Sequence, residues 1–305
     1  MTYSILARDR DTGEMGVATQ SQAFAVGHSV PWALPGFGVI ATQSMGEPAY
    51  GELGLDAMRA GLTAQETLTA LRSVDAHPER RQVAMIDSRG GVAAYTGDRC
   101  MAEAGHCIGE DCVALANMMA SARVWDAMVD AHLSAEGPLA SRLLAALQAA
   151  EAAGGDFRGQ RSAAIRVVRA ERSGRPWRDH VVDLRVDEGD NAVAELQRLV
   201  AKGDRYNRMV TAFERALDGD DEQALAAIDA MPPEAAGTEP DLLMWRTVVL
   251  ALGGREREAG RHLAELAESA PAFVEVFRQF GATGLVNRPA LWHRLLARHT
   301  AGQHG

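Results

Sequence analysis

The sequence predicts an α+β protein in two parts: a domain over residues 1–190 and a helical domain over residues 191–305. Three observations lead to this prediction. Alternating apolar residues begin a β-hairpin at the second residue of the chain. Strands, two helices, strands, two helices and strands then follow in order, which suits a sandwich of antiparallel sheets with helices on both outer faces. Beyond Asn191 the pattern becomes helical.

The first hairpin is the element on which the rest of the prediction depends. Residues 3–8 alternate bulky apolar with smaller or polar side chains, residues 9–13 supply turn chemistry, and residues 15–18 resume an apolar run. Further along, Thr63 and Glu66 fit a capping box that begins a helix. The other strands are expected at 36–43, 82–87, 91–96, 111–116, 163–170 and 180–187, and the helices at 51–60, 63–73, 123–132 and 138–152.

The C-terminal region is predicted to be a series of helices. One begins at residues 193–200, and a second covers residues 206–217, where Tyr206, Met209 and Phe213 recur at helical spacing. The later helices are expected at 220–231, 241–252, 255–267 and 271–280.

Composition and charge exclude several classes of function. A net charge of −10 disfavours a nucleic-acid surface, because neutralising phosphates requires clustered lysine and arginine. No apolar run approaches the roughly 20 residues that span a bilayer, and no basic segment followed by an apolar one opens the chain. We therefore expect a cytoplasmic protein without membrane contact. Its three cysteines match no zinc or redox spacing, so reduced thiols and no metal are expected.

Thr2 is the most reactive position that the sequence predicts. If Met1 is removed, which is usual before a residue as small as threonine, Thr2 carries a hydroxyl and an α-amine. The amine, with a pKa of about 8, is able to accept the proton of the hydroxyl. This is the arrangement of threonine nucleophiles at chain termini. The alternative is that Thr2 is simply a β-branched residue that begins a strand.

Several pieces of the N-terminal sequence resemble a known family. They are Thr2-Tyr3-Ser4-Ile5-Leu6-Ala7-Arg8-Asp9, Gly16-Val17-Ala18, Phe24-Ala25-Val26-Gly27, Val30-Pro31-Trp32-Ala33, Ala41-Thr42-Gln43 and Pro48-Ala49-Tyr50-Gly51. These pieces are similar to the domain-of-unknown-function family 1028, which is regarded as part of the N-terminal-nucleophile (Ntn) hydrolase superfamily. The opening, with Thr19-Gln20-Ser21 in the second strand, also resembles glycosylasparaginase. The resemblance implies a four-layer αββα sandwich.

The helical tail resembles tetratricopeptide-like helix pairs. It also matches the C-terminal region that is often attached to family 1028 and that is described as peptidoglycan-binding. A cytoplasmic chain does not meet the cell wall, so we expect the tail to serve assembly, as in a homo-oligomer, or binding of a partner.

Three polar residues at predicted strand ends are candidates to assist Thr2. Ser21 closes the second strand, and antiparallel pairing brings it next to the start of the first. The family commonly has lysine after this serine, whereas Gln22 stands here, which removes a cation that lowers the pKa of the nucleophile in proteasome-like relatives. Gln43 and Asn117 carry amides that are able to stabilise an oxyanion. The alternatives are a solvated hydroxyl for Ser21 and structural hydrogen bonding for the amides.

A second group of residues is expected around a substrate pocket. The segment 154–164 resembles the family motif GGDxRGxQSAA, except that Arg161 replaces glutamine. Arg158 is suited to bind a substrate carboxylate with both guanidinium nitrogens, and the alternative is a pair with Asp156 that stabilises the turn. The remaining candidates are Ser162, which opens the next strand, and His28, which shapes the pocket. Asp187 ends a segment that resembles the family's VDLRVD and is a candidate to orient the amine; the alternative is an acid that faces solvent.

Together these features predict a hydrolase of carbon–nitrogen bonds other than peptide bonds, which cleaves a small amide or ureido compound without a cofactor. Thr2 would form an acyl ester that water then hydrolyses. The alternative is a non-catalytic protein that binds a ligand or a partner on the same scaffold. An open cleft lined by Gln43, Asn117 and Arg158 would favour the enzyme, and a closed apolar cavity at Thr2 would favour the binding protein.

Overall fold

The computed structural model describes residues 2–231, 239–286 and 288–302. The chain is an α+β protein with two antiparallel sheets and a C-terminal helical region, and it divides into two compact units, Met1–Val200 and Ala201–Gly305. The strands are β1 Thr2–Arg8, β2 Met15–Ser21, β3 Pro31–Leu34, β4 Gly38–Ser44, β5 Arg81–Asp87, β6 Val92–Thr96, β7 Gly105–Gly109, β8 Cys112–Asn117, β9 Ser162–Val168 and β10 His180–Val186.

The two sheets of the first unit face each other across an apolar core. One sheet has six strands in the order β10-β9-β2-β1-β8-β7, and the other has four in the order β3-β4-β5-β6. Leu6 and Leu115 of the first sheet and Val39 and Ile86 of the second belong to one buried cluster. β1 lies in the middle of the larger sheet, between β2 and β8, so its first residue has a strand on each side.

Four helices cover the outer faces of the sheets. They are α1 Ala49–Arg59 and α2 Ala64–Val74 on the four-stranded sheet, and α3 Val124–Ser134 and α4 Leu139–Ala152 on the six-stranded sheet. The predicted capping box is confirmed: the Thr63 hydroxyl accepts from the backbone N–H of Glu66, and the Glu66 carboxylate accepts from the backbone N–H of Thr63. On the other side, Leu143 and Leu147 of α4 pack on alternate residues of β1.

The second unit is helical. The division between the two units falls inside the first of its helices, α5 Ala192–Leu217. The helices that follow are α6 Asp221–Asp229, α7 Pro240–Leu252, α8 Glu256–Ser269, α9 Ala272–Thr283 and α10 Pro289–Gly302. Their core contains Trp292 packed with Phe277 and Phe280. None of the helices in the described ranges combines the length and the apolar composition needed to cross a bilayer.

Four elements differ from the sequence-based expectation. β3 begins with proline at a sheet edge, where a strand tolerates the missing N–H, and β7 is an edge strand bounded by two glycines. Neither shows the apolar alternation that identifies a half-buried strand. α5 is one continuous helix where two were predicted, and α10 was not predicted. Cys100, Cys107 and Cys112 are free thiols.

Candidate functional site

Thr2 lies in a row of polar residues at one end of the six-stranded sheet. In the strand register, Thr2 stands opposite Ser21 of β2 on one side and Asn117 of β8 on the other. Ser21 in turn stands opposite Ser162 of β9. The register therefore places four polar side chains next to one another in the order Asn117, Thr2, Ser21, Ser162. This row follows from antiparallel pairing, which brings the end of one strand beside the beginning of the next.

Alternation along β1 turns the Thr2 side chain toward the space between the sheets. Tyr3 and Ile5 pack on α3 and α4, whereas Leu6 belongs to the core between the two sheets. Because successive side chains in a strand point to opposite faces, Thr2 and Ser4 share the inner face with Leu6. The Ser4 hydroxyl donates to Gln43 Oε1 on the facing sheet at 2.6 Å, which confirms that direction.

The Thr2 hydroxyl is buried and bonded to Ser21. It donates to Ser21 Oγ at 3.1 Å, and Ser21 Oγ also accepts from the backbone N–H of Ala23 at 3.0 Å. The Thr2 residue is 3% exposed, and Ser21 is fully buried. A hydroxyl pair of this kind restricts the rotamer of Thr2, and it places a second hydroxyl beside that of Thr2.

The carbonyl of Thr2 is held by two side-chain amides. Gln43 Nε2 donates to it at 3.0 Å and Asn117 Nδ2 at 3.4 Å. Gln43 Nε2 also contacts the backbone carbonyl of Leu115 at 3.3 Å. Both amide nitrogens are therefore engaged with the protein, and they position Thr2 through its backbone.

Gln82 joins the two amides and was not among the residues singled out in the sequence. Its Oε1 accepts from Gln43 Nε2 at 2.7 Å and from Asn117 Nδ2 at 2.9 Å. Gln82 is fully buried at the beginning of β5, directly opposite Gln43 of β4. Its position in the sequence could have marked it as a candidate: like Gln43 and Asn117, Gln82 carries an amide side chain and lies at one end of a predicted apolar strand.

The backbone adopts a left-handed conformation, with positive φ, at the residue that follows Gln43 and at the one that follows Asn117. Ser44 follows Gln43 with φ 70°, and Met118 follows Asn117 with φ 58°. Residues other than glycine adopt this left-handed region infrequently and at an energetic cost, and such residues concentrate at functional sites. The strand ends around Thr2 are thus shaped by turns that only the surrounding structure maintains.

Asp156 and Arg158 form the turn pair that the sequence left as an alternative. Arg158 Nε donates to Asp156 Oδ1 at 3.1 Å and the terminal NH2 donates to Oδ2 at 2.7 Å. Asp156 is 4% exposed and bridges to Met119, two residues beyond Asn117. The pair therefore lies beside the end of β8, with the Arg158 side chain partly exposed.

The other three predicted binding residues occupy different positions. The buried Ser162 hydroxyl donates to the carbonyl of Ala23 at 2.6 Å and accepts from the N–H of Val26 at 3.0 Å, so it secures the loop after β2. Asp187 is half-exposed and pairs with Arg185 at 3.1 Å. His28 is exposed on that loop.

The opposite face of the sheet carries an ionisable pair behind Thr2. The Tyr3 hydroxyl donates to Glu151 of α4, whose other carboxylate oxygen accepts from Gln160 at 2.8 Å. Burial raises the pKa of Tyr3 well above its ordinary value, and the nearby Glu151 carboxylate adds to this rise. Tyr3 is thus a neutral donor at any physiological pH, and it anchors the start of β1 to α4.

A cleft lies next to the amide network. It has a volume of about 570 Å³, and Thr96, Cys100, Glu103, His106 and Trp125 are among the residues that line it. Gln82 Nε2 donates to two of the lining residues, to Thr96 Oγ1 and to the carbonyl of Gly105, at 3.0 Å each. Gln43, Asn117 and Arg158 do not line this cleft, so it is not the open cleft that would favour the enzyme over a binding protein.

Comparison with known proteins shows the family. Residues 2–196 match the model of a family described as "Family of unknown function (DUF1028)". The chain belongs to this family. The crystal structure of protein SPO2555 from Silicibacter pomeroyi, which carries the same family model, is 32% identical and has a TM-score of 0.60; the alignment covers 66% of this chain and 88% of that one. No curated protein matches the chain.

The DUF1028 match covers the region that contains the whole polar row and the amide network. Thr2 is its first matched residue, and the match ends at residue 196, inside α5. Most of the helical region lies beyond the family model.

Proposed function

We propose that the protein is an Ntn amidohydrolase in which Thr2 attacks the carbonyl of a small amide or ureido substrate. The observation that supports this proposal is the position of Thr2: at the start of a central strand, with its hydroxyl bonded to Ser21 and its carbonyl held by Gln43 and Asn117. Layers of helix, sheet, sheet and helix around this strand suit the αββα architecture of that superfamily.

The reaction requires the α-amine of Thr2 to be free. Removal of Met1 is therefore part of the proposal, because a chain that keeps it has no free amine on Thr2. The amine accepts the hydroxyl proton while Thr2 Oγ bonds to the substrate carbonyl carbon. The C–N bond then breaks, and the leaving amine takes the proton. Water cleaves the resulting threonine ester and releases the acid, which restores the hydroxyl.

Gln43 and Asn117 are assigned a positioning role in this mechanism. Both donate to the Thr2 carbonyl and to Gln82, so they hold the backbone that carries the nucleophile. A reacting hydroxyl must be placed accurately, because a displacement of about 1 Å costs roughly 10²-fold in rate. Ser21 is the partner of the hydroxyl itself.

The helical region is proposed to serve assembly of a homo-oligomer or binding of a partner; a role in peptidoglycan binding is the alternative. Its core is separate from that of the first unit. Comparing the oligomeric state of the full chain by light scattering with and without peptidoglycan fragments distinguishes the two roles.

The test of the enzyme is a screen of small amides, ureides and acylated amino acids with a chain whose intact mass shows the loss of Met1. Thr2→Ala is expected to lower turnover by at least about 10³-fold, as removal of a nucleophile does. Thr2→Ser, which keeps a hydroxyl on a small residue, is the matched control and should retain measurable turnover. Full activity of Thr2→Ala, or of a chain that keeps Met1, contradicts the proposal.

A non-catalytic binding protein is the second candidate, and one observation favours it. Thr2 is 3% exposed, and the described cleft is lined by other residues. In that case no compound of the screen is turned over, and ligands shift the thermal midpoint of the chain with Thr2→Ala as much as that of the unmodified chain.

A further inference from the structure

We infer that Gln82 fixes the direction of the Asn117 amide so that Asn117 Oδ1 is left to accept an N–H group of the substrate. The inference rests on the proposed function and narrows its substrates to primary and secondary amides or ureides. Gln82 acts through Asn117 and is a positioning residue.

The direction of the Gln82 amide is determined by backbone carbonyls. Gln82 Nε2 lies 2.8 Å from the carbonyl of Ala116 and 3.0 Å from that of Gly105. A carbonyl oxygen only accepts, so the NH2 group has to face these two atoms. The Oε1 atom consequently points the other way, toward Gln43 and Asn117.

The direction of the Gln82 amide in turn determines the directions of the Gln43 and Asn117 amides. Because Gln82 Oε1 only accepts, Gln43 and Asn117 must both present their NH2 groups to it, at 2.7 and 2.9 Å. For Gln43 this direction has independent support, since its Nε2 also lies 3.0 Å from the backbone carbonyl of Thr2 and 3.3 Å from that of Leu115, which only accept. For Asn117 the consequence is that Oδ1 faces away from Gln82.

Asn117 Oδ1 has no hydrogen-bond partner among the residues that the structure describes, although Asn117 is fully buried. A buried acceptor without a donor costs about 1–3 kcal/mol, so it calls for a specific explanation. Asn117 stands directly opposite Thr2 in the strand register. A substrate whose carbonyl is attacked by Thr2 brings its own nitrogen to this neighbourhood, and an N–H on that nitrogen satisfies Oδ1.

This arrangement predicts which compounds bind. A site built to bond an N–H discriminates strongly against an analogue that lacks it, because the buried acceptor then stays unpaired. Acetamide carries two N–H donors on its amide nitrogen, and N,N-dimethylacetamide carries none. Esters lack the donor as well.

The experiment measures binding without turnover. A chain of verified mass that begins at residue 2 and carries Thr2→Val, which has the shape of threonine but no hydroxyl, is titrated with each amide by NMR with ¹⁵N-labelled side-chain amides. We expect acetamide to shift the Asn117 NH2 signals, and N,N-dimethylacetamide to bind at least about tenfold more weakly. Adding Gln82→Met should reduce this preference to less than about threefold, because only the 3.4 Å contact to the Thr2 carbonyl then orients the Asn117 amide.

The matched control is Gln20→Met. Gln20 is a fully buried glutamine of β2 that pairs with Tyr3 and so faces the other side of the sheet. It should leave the preference unchanged. Equal binding of both amides, binding of neither, or an unchanged preference with Gln82→Met overturns the inference. If Gln82→Met does not fold, the comparison of the two amides with Gln82 in place decides alone.

The outcome is separable from that of the proposed function. Selective binding of acetamide together with an inactive unmodified chain refutes the hydrolase and leaves the acceptor site standing. Turnover of amides with and without N–H at equal rates refutes the acceptor and leaves the hydrolase standing.

Discussion

Replacing Gln82 by methionine should destabilise the first unit substantially. Methionine has a similar length and neither donates nor accepts as an amide does. The Gln82 amide makes five contacts, and the one to Asn117 Nδ2 at 2.9 Å is the shorter of the two that this buried nitrogen makes. After the substitution Asn117 Nδ2 retains only the contact of 3.4 Å to Thr2. At about 1–3 kcal/mol for an orphaned buried group, the expected loss is about 1–3 kcal/mol.

This loss is a large share of the roughly 5–15 kcal/mol that stabilises a typical domain. The assay is hydrogen exchange followed by mass spectrometry in low urea, read on peptides from β5 and β8, because it reports the first unit without interference from the helical unit. Gln65→Met, on the exposed face of α2, is the control and should stay within about 0.5 kcal/mol. If the stability of the Gln82→Met chain lies within the error of that of Gln65→Met, the amide network does not stabilise the first unit and the reasoning is refuted.

Two further predictions concern the dependence of stability on pH, measured as urea midpoints. Burial and, to a smaller extent, the nearby charge of Arg142 lower the pKa of His132 to about 4. The unfolded chain therefore takes up this proton first, and stability should fall as the pH drops from about 6.5 to 4. His132→Leu should flatten this fall, and an unchanged dependence of stability on pH would contradict the prediction. Hydrogen bonding to Arg81 lowers the pKa of Asp75 to about 2, so its stabilisation is present above about pH 4 and lost toward pH 2. Asp75→Asn should therefore destabilise the chain at pH 6, and the difference in stability between variant and unmodified chain should shrink at pH 3. A difference that stays the same at both pH values would contradict this prediction.

The sequence was sufficient to place Ser21 beside Thr2, because a hairpin is a local pattern and antiparallel pairing makes the ends of its strands neighbours. It also identified Asn117 as a strand end, but the pairing of β8 with β1, which puts Asn117 beside Thr2, is not a local pattern. Gln82 could not be found in this way. Its role depends on the register between β4 and β5 and on the facing of two sheets, which bring residues from distant parts of the chain together. Local patterns carry no information on which buried amide faces which.

The segment around Arg158 shows the same limit in another form. The sequence allows an arginine that binds a substrate carboxylate or one that pairs with Asp156, and both use the same fork of donors. The structure has the pair, with Asp156 almost fully buried. A residue two positions away is always within reach, whereas a substrate has to compete for the guanidinium. Proximity in the chain was therefore the better guide at this position.

The way in which Thr2 is held separates its chemistry from the stability of the fold. Its position is set through its backbone carbonyl, which Gln43 and Asn117 bond whatever the side chain. Thr2→Ala removes the hydroxyl bond to Ser21, which contributes about 1 kcal/mol, and the buried γ-methyl group, which contributes about 1 kcal/mol as well. The strand should keep its register and the amide network should persist. If the register is kept, a loss of turnover in this variant points to the missing hydroxyl, which we propose as the nucleophile, and not to a displaced strand.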